Sequence, residues 1–224
     1  PRMPLSAPKT DPLDRFRCGV RNTRDDRPVP LVATNYDLAI EGAVAEVVVE
    51  RVFRNAEAEP IEAVMTFPVP VDAVFFGLEV DIDGRRLVAR AEPRSEAREI
   101  YEDAIDRGRS AVLHEEALKG IHVLSLAHVP PGGEVRVRSR FAQIMRRVDA
   151  DWRMRVPLTC GDVYGRSGLD DVDELSHAPG GGEHAGLRLR RPADATVRIE
   201  GFVAGEASAD GDGRVVVDGR VALD

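Results

Sequence analysis

The sequence predicts a mainly β protein: an antiparallel β-sandwich with one amphipathic helix at about residues 95–107, plus a C-terminal antiparallel β extension. Three observations predict it. Val74, Phe76, Leu78, Val80 and Ile82 alternate with their neighbours at the strand period of two. Similar short runs recur between turn-rich segments along most of the chain, the pattern of a sandwich. Against them stands one stretch of helical period, in which Ala97, Ile100, Tyr101, Ala104 and Ile105 line a single face.

Taken in order, residues 1–28 are rich in Pro, Arg and Asp without periodicity and read as an extended lead-in. Residues 36–40 form a short strand and residues 44–53 a longer one, with Ala45, Val47, Val49 and Phe53 on one face and Glu46 and Glu50 on the other. Ile61, Ala63, Met65 and Phe67 share a face of the next strand, which Pro68 and Pro70 end because neither can donate to a ladder. The run from Val74 to Ile82 meets Asp83-Gly84, the strongest hairpin signal in the chain, and returns through Leu87 and Ala89.

The helix follows. Ser95 fits its N-cap, Glu96 and Glu99 sit near the positive end of its dipole and Arg107 near the negative end, and Gly108 can adopt the left-handed conformation that stops it. Ile100 and Tyr101 are expected to be substantially buried. Residues 121–129 and 134–145 read as a second hairpin closed by Pro130-Pro131-Gly132-Gly133, with Arg136, Arg138 and Arg140 in a solvent-facing row. Beyond Arg147, Trp152, Met154, Val156 and Leu158 alternate, residues 161–186 are loop-like, and strands are expected at 187–191, 196–203 and 214–217. Asp218-Gly219 then signals a turn into a return strand.

Composition narrows the function classes. The 224 residues carry 31 Lys and Arg against 39 Asp and Glu, and the resulting charge of -8 argues against a nucleic-acid surface or an anionic membrane. No apolar run approaches the roughly 20 residues that cross a bilayer. The N-terminus lacks the apolar core of a signal peptide, which favours the cytoplasm, while a removed leader would place the protein in the envelope or outside the cell. Cys18 and Cys160 are too few for a disulfide framework or zinc site; reduced thiols are the default and one long-range bridge the alternative.

Several motifs agree in order and spacing. An acidic residue, then Glu96-Ala97, Tyr101, Ala104, Gly108, Ala111 and Leu113 lead into a strand and Val129-Pro130-Pro131-Gly132. Upstream lie Val52-Phe53-Arg54-Asn55, Glu59-Pro60-Ile61-Glu62-Ala63 and Phe67-Pro68-Val69-Pro70. Together these resemble the VIT domain, shared by vault poly-ADP-ribose polymerase and the inter-alpha-trypsin inhibitor heavy chains. The resemblance covers roughly residues 30–147, with the last 75 or so residues loosely similar to the β extension of bacterial members. It implies three segments: a lead-in at 1–28, a VIT domain at 29–147 and an extension at 148–224 that precedes a von Willebrand factor type A domain beyond Asp224. It also implies a non-catalytic interaction or scaffold module that docks onto that type A domain or a partner protein. The Asp-x-Ser-x-Ser metal motif of type A domains does not occur in these residues.

The chemistry-bearing residues point the same way. His114, Glu115 and Glu116 are adjacent, so alternate strand faces keep them from converging as acid and base. His122 and His128 would share a strand face but stand roughly 20 Å apart, too far for one metal ion. His177 and His184 flank the Gly180-Gly181-Gly182 run, which lacks the Lys-Ser/Thr of a phosphate loop. Gly165-Arg166-Ser167-Gly168 is one residue short of a nucleophile elbow. No catalytic, cofactor or metal residue is therefore assigned, and no enzyme activity is expected. The alternative is a ligand- or carbohydrate-binding sandwich, for which only Trp152 and three tyrosines supply exposed aromatic candidates; a hydrolase is the weaker third reading.

Overall fold

The period-two runs fold as strands in the computed structural model, which describes residues 19–88, 93–157, 184–190, 204–209 and 215–220. They are β1 (Gly19–Asn22), β2 (Leu31–Glu41), β3 (Val44–Arg54), β4 (Ile61–Pro68), β5 (Val74–Ile82) and β6 (Arg85–Val88). After the helix α1 (Arg94–Asp106) come β7 (Ala111–Leu118), β8 (Ile121–Val129), β9 (Glu134–Ile144), β10 (Arg146–Val148), β11 (Asp151–Arg153), β12 (His184–Arg190), β13 (Ala204–Ala209) and β14 (Val215–Arg220). A four-stranded sheet in the order β1-β4-β8-β7 faces an eight-stranded one in the order β13-β14-β12-β2-β3-β9-β5-β6, and β10 and β11 form a small ribbon. Mainly β, sandwiched and carrying one helix, the fold class is the expected one.

Prolines direct the chain between the sheets. Pro28 and Pro30 lie between β1 and β2, Pro60 precedes β4, Pro68 and Pro70 separate β4 from β5, and Pro93 precedes α1 on the way to β7. Pro130 and Pro131 do the same between β8 and β9. Those two strands therefore belong to different sheets and are not the hairpin expected from sequence. Prolines lack the N–H that a ladder needs, so a pair of them ends one sheet and lets the chain enter the other. The corner is held by Asn55, fully buried, whose Nδ2 lies 2.9, 3.1 and 3.0 Å from the carbonyls of Glu59, Val129 and Pro130 while Oδ1 accepts the Glu57 N–H. The Phe-x-Asn and Val-Pro-Pro-Gly motifs, far apart in sequence, thus meet in space.

Inward-facing Val47, Val49, Phe53, Met65, Phe67, Val80, Leu124, Leu126 and Val137 fill the space between the sheets. The Asp83-Gly84 turn is as expected: both residues have positive φ, 51° and 83°, the twist that a two-residue hairpin requires. Gly108 likewise has φ 64° just past α1.

Four expectations need correction. Residues 19–22 belong to a sheet, with Val20 fully buried opposite Met65. The C-terminal strands are antiparallel among themselves, but β12 joins the large sheet by parallel pairing with β2, placing buried Leu187 and Leu189 opposite Tyr36 and Leu38. Burial of alternate residues specifies that register without specifying strand direction. Asp218 and Gly219 lie inside β14, paired on both sides, because two neighbouring strands outweigh local turn preference. Trp152 is in the short β11, after which Met154 and Val156 leave the strand and pack on the core. The expected strand at 196–203, Cys18, Cys160 and Leu158 lie outside the described residues.

The helix also differs from expectation. Pro93 occupies the N-cap position, with no side-chain cap bond, and its carbonyl accepts the Ala97 N–H, so Ser95 is already inside the first turn. Tyr101, Ala104 and Ile105 are half-buried, whereas Ile100 is 57% exposed and no residue of α1 is fully buried. At about 100° per residue Ile100 sits on the margin of the apolar stripe, and the helix rests on the outer side of β7. It is held there by Arg94 and Arg98, which reach Glu115 at 3.1 and 3.0 Å.

Candidate functional site

Alternation along β9 sends Val135, Val137, Ser139, Phe141 and Gln143 inward, leaving Arg136, Arg138, Arg140, Ala142 and Ile144 on the outer face of the large sheet. The arginine row is solvent-facing as expected, and each member meets a carboxylate on a neighbouring strand. Glu50 takes Arg136 at 3.1 Å and Arg138 at 2.7 Å; Glu79 takes Arg86 at 2.7 Å and Arg140 at 3.7 Å; Glu134 takes Arg136 at 3.0 Å and Arg54 at 3.7 Å. Gly77 makes room for this ladder, since a Cβ there would stand 3.3 Å from the Arg140 stem. Such exposed pairs add little stability, but they leave each of these three carboxylates partnered.

The other half of the same face is built differently. Val44 stands opposite Ile144, and Val74 opposite Ala142, so register alone makes a continuous apolar strip across β3, β9 and β5. Phe76 extends it at the irregularity between Phe75 and Gly77. Ile144 is 73% exposed, Val74 67%, Phe76 53% and Val44 45%. Alongside lie Glu41 opposite Val44 and Glu46 opposite Ala142, with Asp37 opposite Val48, and among the described residues these three carboxylates make no ion pair. A strip of this kind is the sort of surface that another macromolecule covers.

Between the sheets lies a second constellation. Phe67 stacks on His122, directly opposite it on β8, at 5.5 Å, and Phe75 from the other sheet lies 4.9 Å from both His122 and His114. His114 Nε2 and His122 Nδ1 are 3.0 Å apart, a hydrogen bond in which one ring donates and the other accepts. Burial, and then the neighbouring His122, pushes His114 down to about 4; burial lowers His122 as well, opposed by Glu116. The Arg51 guanidinium, 2% exposed, lies 5.2 Å from the Phe67 ring centroid, and burial pushes it below its ordinary value. Shared neutral imidazoles under aromatic rings suit packing rather than proton exchange with a substrate.

His114 and Glu116 do share a face while Glu115 points outward to the helix arginines, and Glu116 is engaged by the Gly120 N–H at 3.0 Å. His128 does not share the face of His122: its φ of 55° at an irregularity in β8 turns it away. Sequence spacing missed the His114–His122 pair, which depends on a register shift between Glu116 and Leu118. Gly165–Gly168, His177 and Gly180–Gly182 lie outside the described residues. Among the described residues no three His, Cys, Asp or Glu side chains group as a metal site, and no helix is long and apolar enough to cross a membrane.

Known proteins resemble this chain in part. The rat von Willebrand factor A domain-containing protein 5A is 31% identical over 123 residues, 54% of this chain and 15% of its own length. The mouse protein mono-ADP-ribosyltransferase PARP4 is 28% identical over 131 residues, 58% of this chain and 7% of its own. This chain thus spans a small part of those relatives. Among solved structures, an M1 zinc metallopeptidase from Deinococcus radiodurans superposes with a TM-score of 0.42 at 11% identity, over 92% of this chain and 40% of that one. The model of the vault protein inter-alpha-trypsin domain matches residues 31–141, from the start of β2 to Phe141 in β9 and with the Asn55 corner inside it, and the chain belongs to that family.

Proposed function

We propose that this chain is a non-catalytic protein–protein interaction module that docks onto an adjoining type A domain or a partner protein. The observation that carries the proposal is the apolar strip of Val44, Ile144, Val74 and Phe76 on the outer face of a sheet whose inner face already supplies the core. Its relatives support it, since a protein named for its von Willebrand factor A domain contains a matching segment as a small part of a longer chain. PARP4 shows that such a segment can also sit within an enzyme, which is consistent with an accessory role here. The domain limits proposed are 29–147, with a lead-in before and an extension at 148–224 after.

The test is hydrogen exchange on a polypeptide that joins this chain to a type A domain, compared with this chain alone. Protection of one contiguous face, over the roughly 600–1,500 Å² usual between domains, is the expected result. Independent tumbling of the two domains, with no face protected, overturns the reading. A carbohydrate-binding sandwich has less support because, among the described residues, Trp152, half-exposed with the Arg147 guanidinium 6.0 Å from its ring centroid, is the one strongly exposed aromatic outside the strip.

A further inference from the structure

We infer that the His114–His122 pair is an acid-sensitive latch on the docking strip: it seats Phe75 between the sheets while both rings are neutral, and releases it, with the β5 part of the strip, on taking up a proton. The inference rests on the docking reading above and names how that surface is regulated. Its basis is a connection through one strand. Phe75 lies opposite Phe141 and Gly77 opposite Arg140, the adjacent residue of β9, so Phe76 is the extra residue of a bulge. Phe75 turns inward at that bulge while Val74 and Phe76 on either side of it turn outward, where they are two of the four members of the strip.

The pair is what Phe75 rests on. Its ring lies 4.9 Å from each imidazole, and the two imidazoles are joined by one hydrogen bond between His114 Nε2 and His122 Nδ1. An added proton puts a charge into this layer, and the surroundings give it little relief. The buried Arg51 guanidinium already stands 5.2 Å from the Phe67 ring centroid. Glu116, on the pair's own face, accepts the Gly120 N–H, and Glu115 faces outward to Arg94 and Arg98 of α1. The inner faces of β4, β5, β8 and β9 bring no further charged group among the described residues, and Lys119 and Asp72 in the adjoining turns are exposed. A buried charge without a partner is costly, so the way out is for the half-buried His114, on the edge strand of its sheet, to move into water. Phe75 then loses the rings that seat it.

The experiment is amide hydrogen exchange on the full 224-residue chain, read as protection factors between pH 7 and pH 4.5. A histidine in water titrates near 6.5 and His114 in place at about 4, so proton uptake favours the open form throughout that interval. Protection over residues 74–78 is expected to fall by about tenfold between pH 6.5 and pH 5, while Val49 and Val137 at the centre of the sheet keep theirs. His114→Gln stays neutral at every pH and can still hydrogen-bond, so it should abolish the fall. Glu116→Gln removes the carboxylate that favours both protonated rings and should move the fall to lower pH. Glu116 is exposed, so its variant tests the same point should His114→Gln not fold.

Protection over 74–78 that is flat with pH, that falls together with Val49 and Val137, or that falls equally in His114→Gln overturns the inference. An unshifted fall in Glu116→Gln does so too. The two levels separate on the polypeptide joined to a type A domain. There the strip should be protected at pH 7, lose that protection at pH 5, and keep it at pH 5 in His114→Gln. A protected face other than the strip, or a strip equally protected at both pH values, sinks this inference and leaves the docking reading standing, whereas no protected face at pH 7 sinks that reading itself.

Discussion

The two faces of β7 meet opposite fates. Inward, His114 is stacked among Phe75, Phe67 and His122 in the space between the sheets. Outward, Glu115 meets Arg94 and Arg98 beneath a helix with no fully buried residue. Both faces touch another element, yet one contact is made of stacked aromatic rings, of which Phe67 and His122 are buried, and the other of long charged side chains at its edge. The difference teaches that the helix, which carries the family's longest motif, is not what holds this domain together. Enclosure between two sheets is.

The sharpest way to break that comparison is to open the enclosed side. Phe67→Ala removes a fully buried ring that supports both Arg51 and His122, and should cost about 3–5 kcal/mol in urea unfolding. A cost no larger than that of a helix-surface variant would show that the layer is not closed.

A pH titration probes the same enclosure. An unfolded histidine titrates near 6.5, while His114 is held at about 4, so between those values the unfolded chain binds more protons than the folded one. Stability should be complete above about pH 6.5 and fall by about 2–3 kcal/mol as the pH drops through 4, with His122 adding in the same direction. Protonating both rings would also set two N–H groups against each other across 3.0 Å. His114→Gln should flatten that acid limb; an unchanged limb would trace it to carboxylates elsewhere.

Asn55→Ala comes next, at about 1–3 kcal/mol, because it strips the buried carbonyl of Val129 and the partly buried carbonyls of Glu59 and Pro130 of a donor. Its unfolding midpoint sharpens the comparison by asking how far a corner matters relative to the enclosed layer. The smallest effects belong to the helix: Ile100→Ala and Arg98→Ala should each cost less than about 1 kcal/mol, the one because its side chain is already largely in water, the other because exposed ion pairs contribute little. A loss of several kcal/mol on thermal melting of Ile100→Ala would mean that α1 is anchored more deeply than its exposure indicates.

Much of this was legible in the sequence, and what was not has identifiable physical causes. Alternation in β3, β4 and β5 correctly grouped Val47, Met65 and Val80 on buried faces, and the arginine row of β9 on the solvent face, because burial of every second residue is what a sandwich demands. Asp83-Gly84 and Gly108 were legible because their backbone angles have few other solutions. Sheet membership was not: nothing local distinguishes a proline turn that closes a hairpin from one that changes sheet. The parallel pairing of β12 with β2 was hidden for the same reason, since partner choice is settled by distant surfaces.

The histidine pair was hidden by one residue. In an uninterrupted β7–β8 hairpin, His114 and His122 would face opposite sides; the shift between Glu116 and Leu118 puts them together. Ile100 failed for a subtler reason, because helical period identifies a stripe but not how deep its margins sit. The docking strip was not legible: the alternation grouped Val74 and Phe76 with the buried Leu78, Val80 and Ile82, whereas the register shift between Phe75 and Gly77 leaves them on the outer face, and Ile144 and Val44 become neighbours only through the pairing of β3 with β9.

The partnership of β2 with β12 also constrains the order in which the molecule can be made. His184 pairs with Ala33 and Arg190 with Ala39, so the two strands are separated by most of the chain between them. On a ribosome that adds about 5–20 residues per second, β2 therefore waits several seconds for that neighbour, holding β3 on one edge and nothing of β12 on the other. During that interval its outer row of N–H and C=O groups is an open template. Contacts this distant in sequence also slow closure of the sheet in a free chain. The last strands of the chain, far from being an ornament on a finished domain, act on the vulnerability of its earliest edge.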